Sequence, residues 1–252
     1  FIGIHFFSPV DKMPLVEIIV GEKTSQEAIA RSMDYVQQIR KTPVVVNDSR
    51  GFYTSRCFGM YPNEGITMLA EGVNPALIEN AAKMAGMPVG PLAVSDEVTI
   101  ELQYKIMAQH KKDLGDDWVK PSSYDAVTRF VEDLDRKGKR FGKGFYDYPE
   151  GEKKHLWGEL GTIFPAAAEQ PSVDEVQKRL LYIQSLETAR CIEEGVVTEA
   201  ADADIGSILG WGFPPWTGGT ISLIATIGLA RFVAEGERVA DGYGDRFRHS
   251  RW

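Results

Sequence analysis

FIGIHFFSPVDKMPLVEIIV, residues 1–20, is the stretch from which the rest of the chain can be read. It holds two short apolar runs joined by SPVDKMP, a loop with a proline near each end. Folded as an antiparallel hairpin centred on Asp11, the segment has one register that pairs like with like. Ile2 then faces Val20, Ile4 faces Ile18 and Phe6 faces Val16, so one face is wholly apolar. On the other face His5 lies opposite Glu17. Directly opposed residues have Cβ atoms about 5 Å apart, within reach of a carboxylate–imidazole hydrogen bond. A carboxylate on one ring nitrogen fixes the tautomer and makes the other nitrogen a better proton acceptor. Two readings follow from the spacing: a general base with an orienting partner, or a buried histidine satisfied by an acid.

After the hairpin, Thr24 and Glu27 read as a capping box that opens a helix running to about Ile39. Lys41-Thr42-Pro43 stops it, and Val44-Val45-Val46 reads as a short buried strand. Strand, strand, helix, strand is the tail of a dinucleotide-binding α/β domain. Asp48-Ser49-Arg50-Gly51 breaks the chain, and from Phe52 onward the pattern is helical. A first helix is expected over Phe52–Glu71, kinked near Gly59 by Pro62. Asn74-Pro75 caps the next, which should end near Gly86. Further helices are expected at 91–114 and 123–137. The stretch from Tyr148 to Ser172, with its glycines and prolines, reads as a linker. Beyond it the chain repeats itself. NEGITMLAEGV (63–73) returns loosely as LETARCIEEGV (186–196), and GMPVGP (86–91) as GFPPWTGGT (212–220). A helical unit that cannot bury its apolar face alone needs a neighbour, and a tandem copy supplies one.

The chain has 252 residues, 43% hydrophobic and 25% charged, as in an ordinary water-soluble globular protein. A net charge of -8 argues against nucleic acid or an anionic membrane as partner. The one dense basic run, Arg136-Lys137-Gly138-Lys139-Arg140 with Lys143 after it, reads as a solvated loop. Cys57 and Cys191 fall inside helical patterns without metal-ligand spacing, so they read as buried thiols of a reducing, cytoplasmic compartment. No metal site is expected. No apolar run approaches a membrane span and no signal peptide is visible. Phe1 opens directly on a strand and Trp252 ends mid-pattern, which reads as an excised fragment. His110, His155 and His249 sit among charged residues and are expected at the surface. Asp96-Glu97 reads as a favourable charge near a helix N-terminus. Trp211, Phe213 and Trp216, around Pro214-Pro215, are expected to pack between the two repeats.

HFFSPVDKMPLVEI closely resembles the HFFNP…LVEV signature of L-3-hydroxyacyl-CoA dehydrogenases. The likeness continues through RKTPVVVNDSRGFYTSR (40–56), GMPVGPLAVSDEV (86–98), GKGFYDY (142–148) and GWGFPPWTGG (210–219), in family order. The second half is similar to the C-terminal part of the multifunctional fatty-acid β-oxidation α subunit, which joins an enoyl-CoA hydratase to this dehydrogenase. The implied fold is mostly α with a small α/β remnant. Residues 1–50 would be the end of a Rossmann-type NAD domain, 51–148 a first helical C-terminal domain, 149–172 a linker and 173–252 a second helical copy. Single-function relatives dimerise through the helical domain, so the second copy is expected to replace that partner and leave little drive toward a homodimer.

The resemblance implies oxidation of an L-3-hydroxyacyl-CoA to 3-ketoacyl-CoA by NAD. His5 matches the family's catalytic histidine and Glu17 the glutamate that orients it. Ser8 stands where relatives carry an asparagine beside the nicotinamide. Ser55 stands where they read GFxxNR, with an asparagine on the substrate; serine keeps a hydroxyl but has a shorter reach. Coenzyme A, a polyanion, would need a local cationic patch. A dinucleotide fold needs a glycine-rich turn after its first strand, and no G-x-G-x-x-G occurs in the chain. The expected partners are therefore upstream NAD-binding and hydratase regions besides the acyl-CoA substrate, with these residues inactive alone. A rival reading makes the chain a non-catalytic assembly module that docks the hydratase and a thiolase subunit. A third assigns it a short-chain substrate such as hydroxybutyryl-CoA.

Overall fold

In the computed structural model, which describes residues 1–248, the opening hairpin forms as β1 (Gly3–Phe6) and β2 (Leu15–Val20). They pair antiparallel with Ile4 against Ile18, His5 against Glu17 and Phe6 against Val16, the register expected. Pairing starts at Gly3–Ile19, so Ile2 lies just outside the strand. Helix α1 (Gln26–Gln38) follows, and its cap differs from expectation. Ser25, in extended backbone beside the first helical residue, accepts the Ala28 N–H. The Thr24 hydroxyl instead accepts from Gly21 N–H and donates to the Phe1 carbonyl. Strand β3 (Thr42–Asn47) then pairs parallel with β2, giving the order β1-β2-β3. Helix α1 covers one face of this sheet, where Val36 packs with Val16 and Ile18 and the half-buried Ile2, Ile4 and Phe6 join them. Glu17 therefore points to the opposite face.

Helix α2 (Thr54–Ala70) continues through Pro62. Asn74 caps α3 (Pro75–Met84) by accepting the Ala76 N–H. The single helix expected at 91–114 is two, α4 (Pro91–Val98) and α5 (Ile100–Leu114). Thr99 divides them at φ 70, and its hydroxyl accepts the Leu102 N–H, so one residue ends a helix and caps the next. Helix α6 (Tyr124–Glu132) is shorter than the expected 123–137, because the chain turns at Asp135 (φ 49) to bury Arg136. Then come β4 (Tyr146–Asp147), β5 (His155–Leu156) and the single turn α7 (Leu160–Ile163). The stretch read as a linker is thus partly built. Trp157 N–H donates to Phe145 O, Phe164 stacks parallel to Phe130, and Ala167 N–H donates to Gly72 O. Helices α8 (Val173–Glu193), α9 (Ala200–Trp211), α10 (Thr220–Ile227) and α11 (Leu229–Tyr243) complete the described chain.

The contacts divide the chain into two compact units: Phe1–Met60 with the residues from Leu181 onward, and Tyr61–Leu180. The first unit holds the sheet and an apolar core of Tyr182, Ile183, Leu186, Phe232, Val239 and Phe247. In the second, Arg179 is fully buried against Glu64 and also pairs with Glu71. Here Asp96 is no helix-dipole charge: it is wholly buried near the end of α4 and accepts the N–H groups of Phe145 and Tyr146 and the Tyr148 hydroxyl. Arg136 is not solvated either, since it donates to Gly144 O, Tyr146 O and Asp147. Its neighbours Lys137, Lys139 and Lys143 are surface residues paired with Asp135 or Glu97.

In the first unit Cys57 and Cys191 are buried, their sulfurs 3.8 Å apart, and burial pushes the Cys57 thiol up. Trp211 and Phe213 are buried, but Trp216 is 68% exposed and is no core residue. His155 lies at the surface and His110 is half-buried, while His249 lies outside the described residues. Among the described residues no helix is long and apolar enough to cross a membrane, and no acidic, histidine and cysteine cluster could hold a metal.

Candidate active site

The hairpin register brings His5 and Glu17 together on the sheet face away from α1. His5 Nδ1 lies 2.6 Å from Glu17 Oε2, with the imidazole 28% exposed and the carboxylate fully buried. An ionised carboxylate only accepts, so the proton between them sits on Nδ1 and Nε2 keeps its lone pair. The arrangement leaves an acceptor nitrogen on a partly open ring, backed by a buried charge. Burying a carboxylate requires donors, and they come from the first turn of α2. The Tyr53 and Thr54 N–H groups donate to Oε1 at 3.2 and 2.9 Å. The Thr54 hydroxyl donates to Oε2 at 2.6 Å. Helix N-termini leave N–H groups without intrahelical partners and favour negative charge, so this buried acid and this helix start satisfy each other.

Local sequence explains how the helix start reaches the sheet. Gly51 (φ 79) and Phe52 (φ 50) turn the chain sharply after β3, a turn that glycine makes without strain. Tyr53, fully buried, donates its hydroxyl to Ala203 O at 2.7 Å and meets Trp211 edge-on, which anchors the turn to α9. Arg56 anchors it to Glu187 on α8 and to Glu194 just past that helix's end. Gly210 lets α9 come close: a Cβ there would stand 2.9 Å from Leu15 and 3.3 Å from Thr54. Two aromatic rings flank the imidazole, Phe7 at 4.7 Å and Phe52 at 5.6 Å between centroids.

Ser8 is exposed in the β1–β2 loop, three residues beyond His5, and Ser55 is exposed on the first turn of α2 beside Thr54. Sequence reasoning missed Tyr53 and Thr54 as partners of Glu17. The available signal was the helix start at GFYT itself, whose unpaired N–H groups call for an acceptor. A hollow of about 640 Å³, lined by Phe1, Val20 to Thr24, Asn47 and Asp48, opens at the carboxyl ends of β2 and β3. Because β1 runs antiparallel to them, His5 stands toward the other end of the sheet and lines no part of it.

Comparison with known proteins adds an independent line. Residues 1–49 match the NAD-binding domain of 3-hydroxyacyl-CoA dehydrogenase, and 51–148 match the C-terminal domain of the same enzyme family. The fatty acid oxidation complex subunit alpha of Shewanella oneidensis is 40% identical over 250 residues, which cover 98% of this chain and 35% of that protein. The corresponding subunit of Shewanella halifaxensis is 41% identical over 250 residues, covering 98% and 34%. The chain thus spans about a third of the length of the curated relatives it matches. Among solved structures, the dehydrogenase part of multifunctional enzyme 1 from C. elegans superposes with a TM-score of 0.70 at 27% identity, over 98% of this chain and 57% of that one. The 3-hydroxybutyryl-CoA dehydrogenase of Escherichia coli shares the fold, with a TM-score of 0.78 at 20% identity over 98% and 68%.

Proposed function

Because the chain belongs to the 3-hydroxyacyl-CoA dehydrogenase family, we propose that its hairpin performs the proton half of (3S)-3-hydroxyacyl-CoA oxidation to 3-ketoacyl-CoA. The observation that carries this reading is the 2.6 Å Nδ1–Oε2 contact onto a fully buried glutamate, which leaves Nε2 as the acceptor of a partly exposed ring. His5 Nε2 takes the proton of the 3-hydroxyl as the adjoining C–H bond breaks, and Glu17 stabilises the imidazolium that forms. Bound NAD supplies the hydride acceptor. In the reverse direction the imidazolium donates to the ketone oxygen. The residues present fit the proton side of that cofactor's chemistry, with Ser8 at the loop where the nicotinamide would lie and Ser55 as the substrate contact. They do not supply the pyrophosphate cradle, since the sequence has no glycine-rich dinucleotide turn.

The setting we propose is fatty-acid β-oxidation, in the cytoplasm, within a polypeptide that also bears an NAD-binding region and enoyl-CoA hydratase. The length and name of the Shewanella subunits support the fatty-acid oxidation setting and the longer polypeptide. That they are subunits of a complex supports a thiolase subunit as partner, to be tested by co-purification. Assay of the full-length protein with acetoacetyl-CoA and NADH tests the enzymatic reading. Activity that disappears in His5→Gln with folding intact upholds it, and an inactive wild type favours the assembly-module reading.

The helices after residue 172 read as a second copy of the first helical domain, and several correspondences support this. Each set runs long helix, α3 or α9, α4 or α10, α5 or α11, with 10 and 12, 8 and 8, and 15 and 15 residues in the last three. The fifth residue of α3, Glu79, accepts N–H groups from the second and third residues of α4; the fifth residue of α9, Asp204, does the same for α10. Thr99 (φ 70, ψ 128) and Gly228 (φ 89, ψ 129) make the same break before the last helix.

A further inference from the structure

We propose that Thr54 is a positioning residue for the catalytic pair: its hydroxyl holds Glu17 Oε2 and sets how basic His5 becomes. This rests on the dehydrogenase reading above. Thr54 is 1% exposed and grips both carboxylate oxygens, with its N–H on Oε1 at 2.9 Å and its hydroxyl on Oε2 at 2.6 Å. Tyr53 N–H already fills the remaining place on Oε1. The hydroxyl therefore does something the helix start alone does not, because it binds the oxygen that also receives His5 Nδ1–H. Two consequences follow. The carboxylate plane is held from both ends, so Oε2 cannot swing away from the imidazole. The hydroxyl also draws charge from Oε2, so the imidazolium is stabilised less than by a carboxylate reserved for it alone.

The other titratable groups on the elements packed around this pair are engaged elsewhere. On α2, Arg56 is held by Glu187 and Glu194, and the Cys57 sulfur faces that of Cys191. The Tyr53 hydroxyl is on Ala203 O. On α9, Asp202 accepts from Val45 and Asp204 caps α10. None of these has been given the oxygen that Thr54 and His5 share. A purely structural threonine would be replaced by valine with a loss of stability and no change in the titration of His5.

Kinetics of the full-length enzyme with acetoacetyl-CoA and NADH, and in the oxidation direction across pH, separate the two roles. Thr54→Val keeps the side-chain shape; it is expected to lower kcat about tenfold with KM within about twofold, and to raise the acid limb of kcat for oxidation by about half a pH unit, as a carboxylate short of one donor holds the imidazolium more tightly. Thr54→Ser should restore both. Wild-type kcat and an unmoved limb in Thr54→Val, or a serine variant that behaves like valine, would overturn the proposal. Should the valine variant not fold, the wild type still decides: the Thr54 methyl resonance should titrate with the His5 midpoint, and a signal indifferent to it refutes the link. An inactive wild type, or a His5→Gln variant that keeps its rate, would sink the dehydrogenase reading instead, so the two failures are distinct.

Discussion

At the scale of single residues, the proposed function depends on which nitrogen of His5 carries the proton. The buried Glu17 answers that by accepting from Nδ1. Replacing the imidazole removes the acceptor: His5→Gln should lower kcat roughly 10²–10⁴-fold with the fold intact, as checked by steady-state kinetics and circular dichroism. Glu17→Gln is the more discriminating change. The Tyr53 and Thr54 N–H groups require an oxygen on their side, so the new amide must turn its NH₂ toward His5. That NH₂ donates to Nδ1, drives the ring proton to Nε2 and leaves the wrong tautomer for a base. The expected cost is again on the order of 10²–10⁴-fold in kcat. Little change in KM should accompany it, because the buried amide touches no substrate. A glutamine variant with near-wild-type kcat would mean that tautomer control is not what the glutamate provides.

At the scale of elements, α4 and the GKGFYDY segment form a second buried carboxylate site whose role is structural. Asp96 takes two backbone N–H groups and a tyrosine hydroxyl, yet burial outweighs these donors and Arg136, and the carboxyl is pushed up to about 6. A carboxyl whose folded pKa exceeds its unfolded value of 3.8 binds more protons in the folded chain between those values. Its contribution is fully present below about pH 4 and is lost as pH rises through about 6. Urea titrations at pH 4 and pH 7 should show wild type losing on the order of 2–3 kcal/mol relative to Asp96→Asn over that interval. Parallel pH profiles for the two proteins would rule the assignment out. The same site makes a packing prediction. A Cβ on Gly144 would lie 1.9 Å from Asp96 Oδ1, so Gly144→Ala must expel either the loop or the carboxylate. A loss of about 2–4 kcal/mol in chemical denaturation is expected, typical of a broken buried network.

At the scale of the whole molecule, what could be read beforehand was what depends on local period. The hairpin register was legible because a one-residue slip would put every apolar side chain on the wrong face. The succession of helices was legible from their caps, as at Asn74-Pro75. Contacts across long separations were not. Nothing in the spacing of Glu17 and Thr54 shows that they meet, because that depends on where Gly51 and Phe52 aim the next helix. Composition misled at 149–172, where glycines and prolines hid the aromatic anchors Trp157 and Phe164, and at Trp216, which resembled its buried neighbours but faces outward. The same distinction bears on the cofactor. Residues 1–252 hold the proposed proton acceptor and its orienting acid, but pyrophosphate recognition requires backbone N–H groups presented by a glycine-rich turn at a helix N-terminus. No such sequence is present. The polypeptide of residues 1–252 alone should therefore give no saturable NADH binding by fluorescence titration and no acetoacetyl-CoA reduction, while the full-length protein gives both. Saturable binding by the shorter chain would locate the dinucleotide site among these residues, and the division of labour proposed here would have to be abandoned.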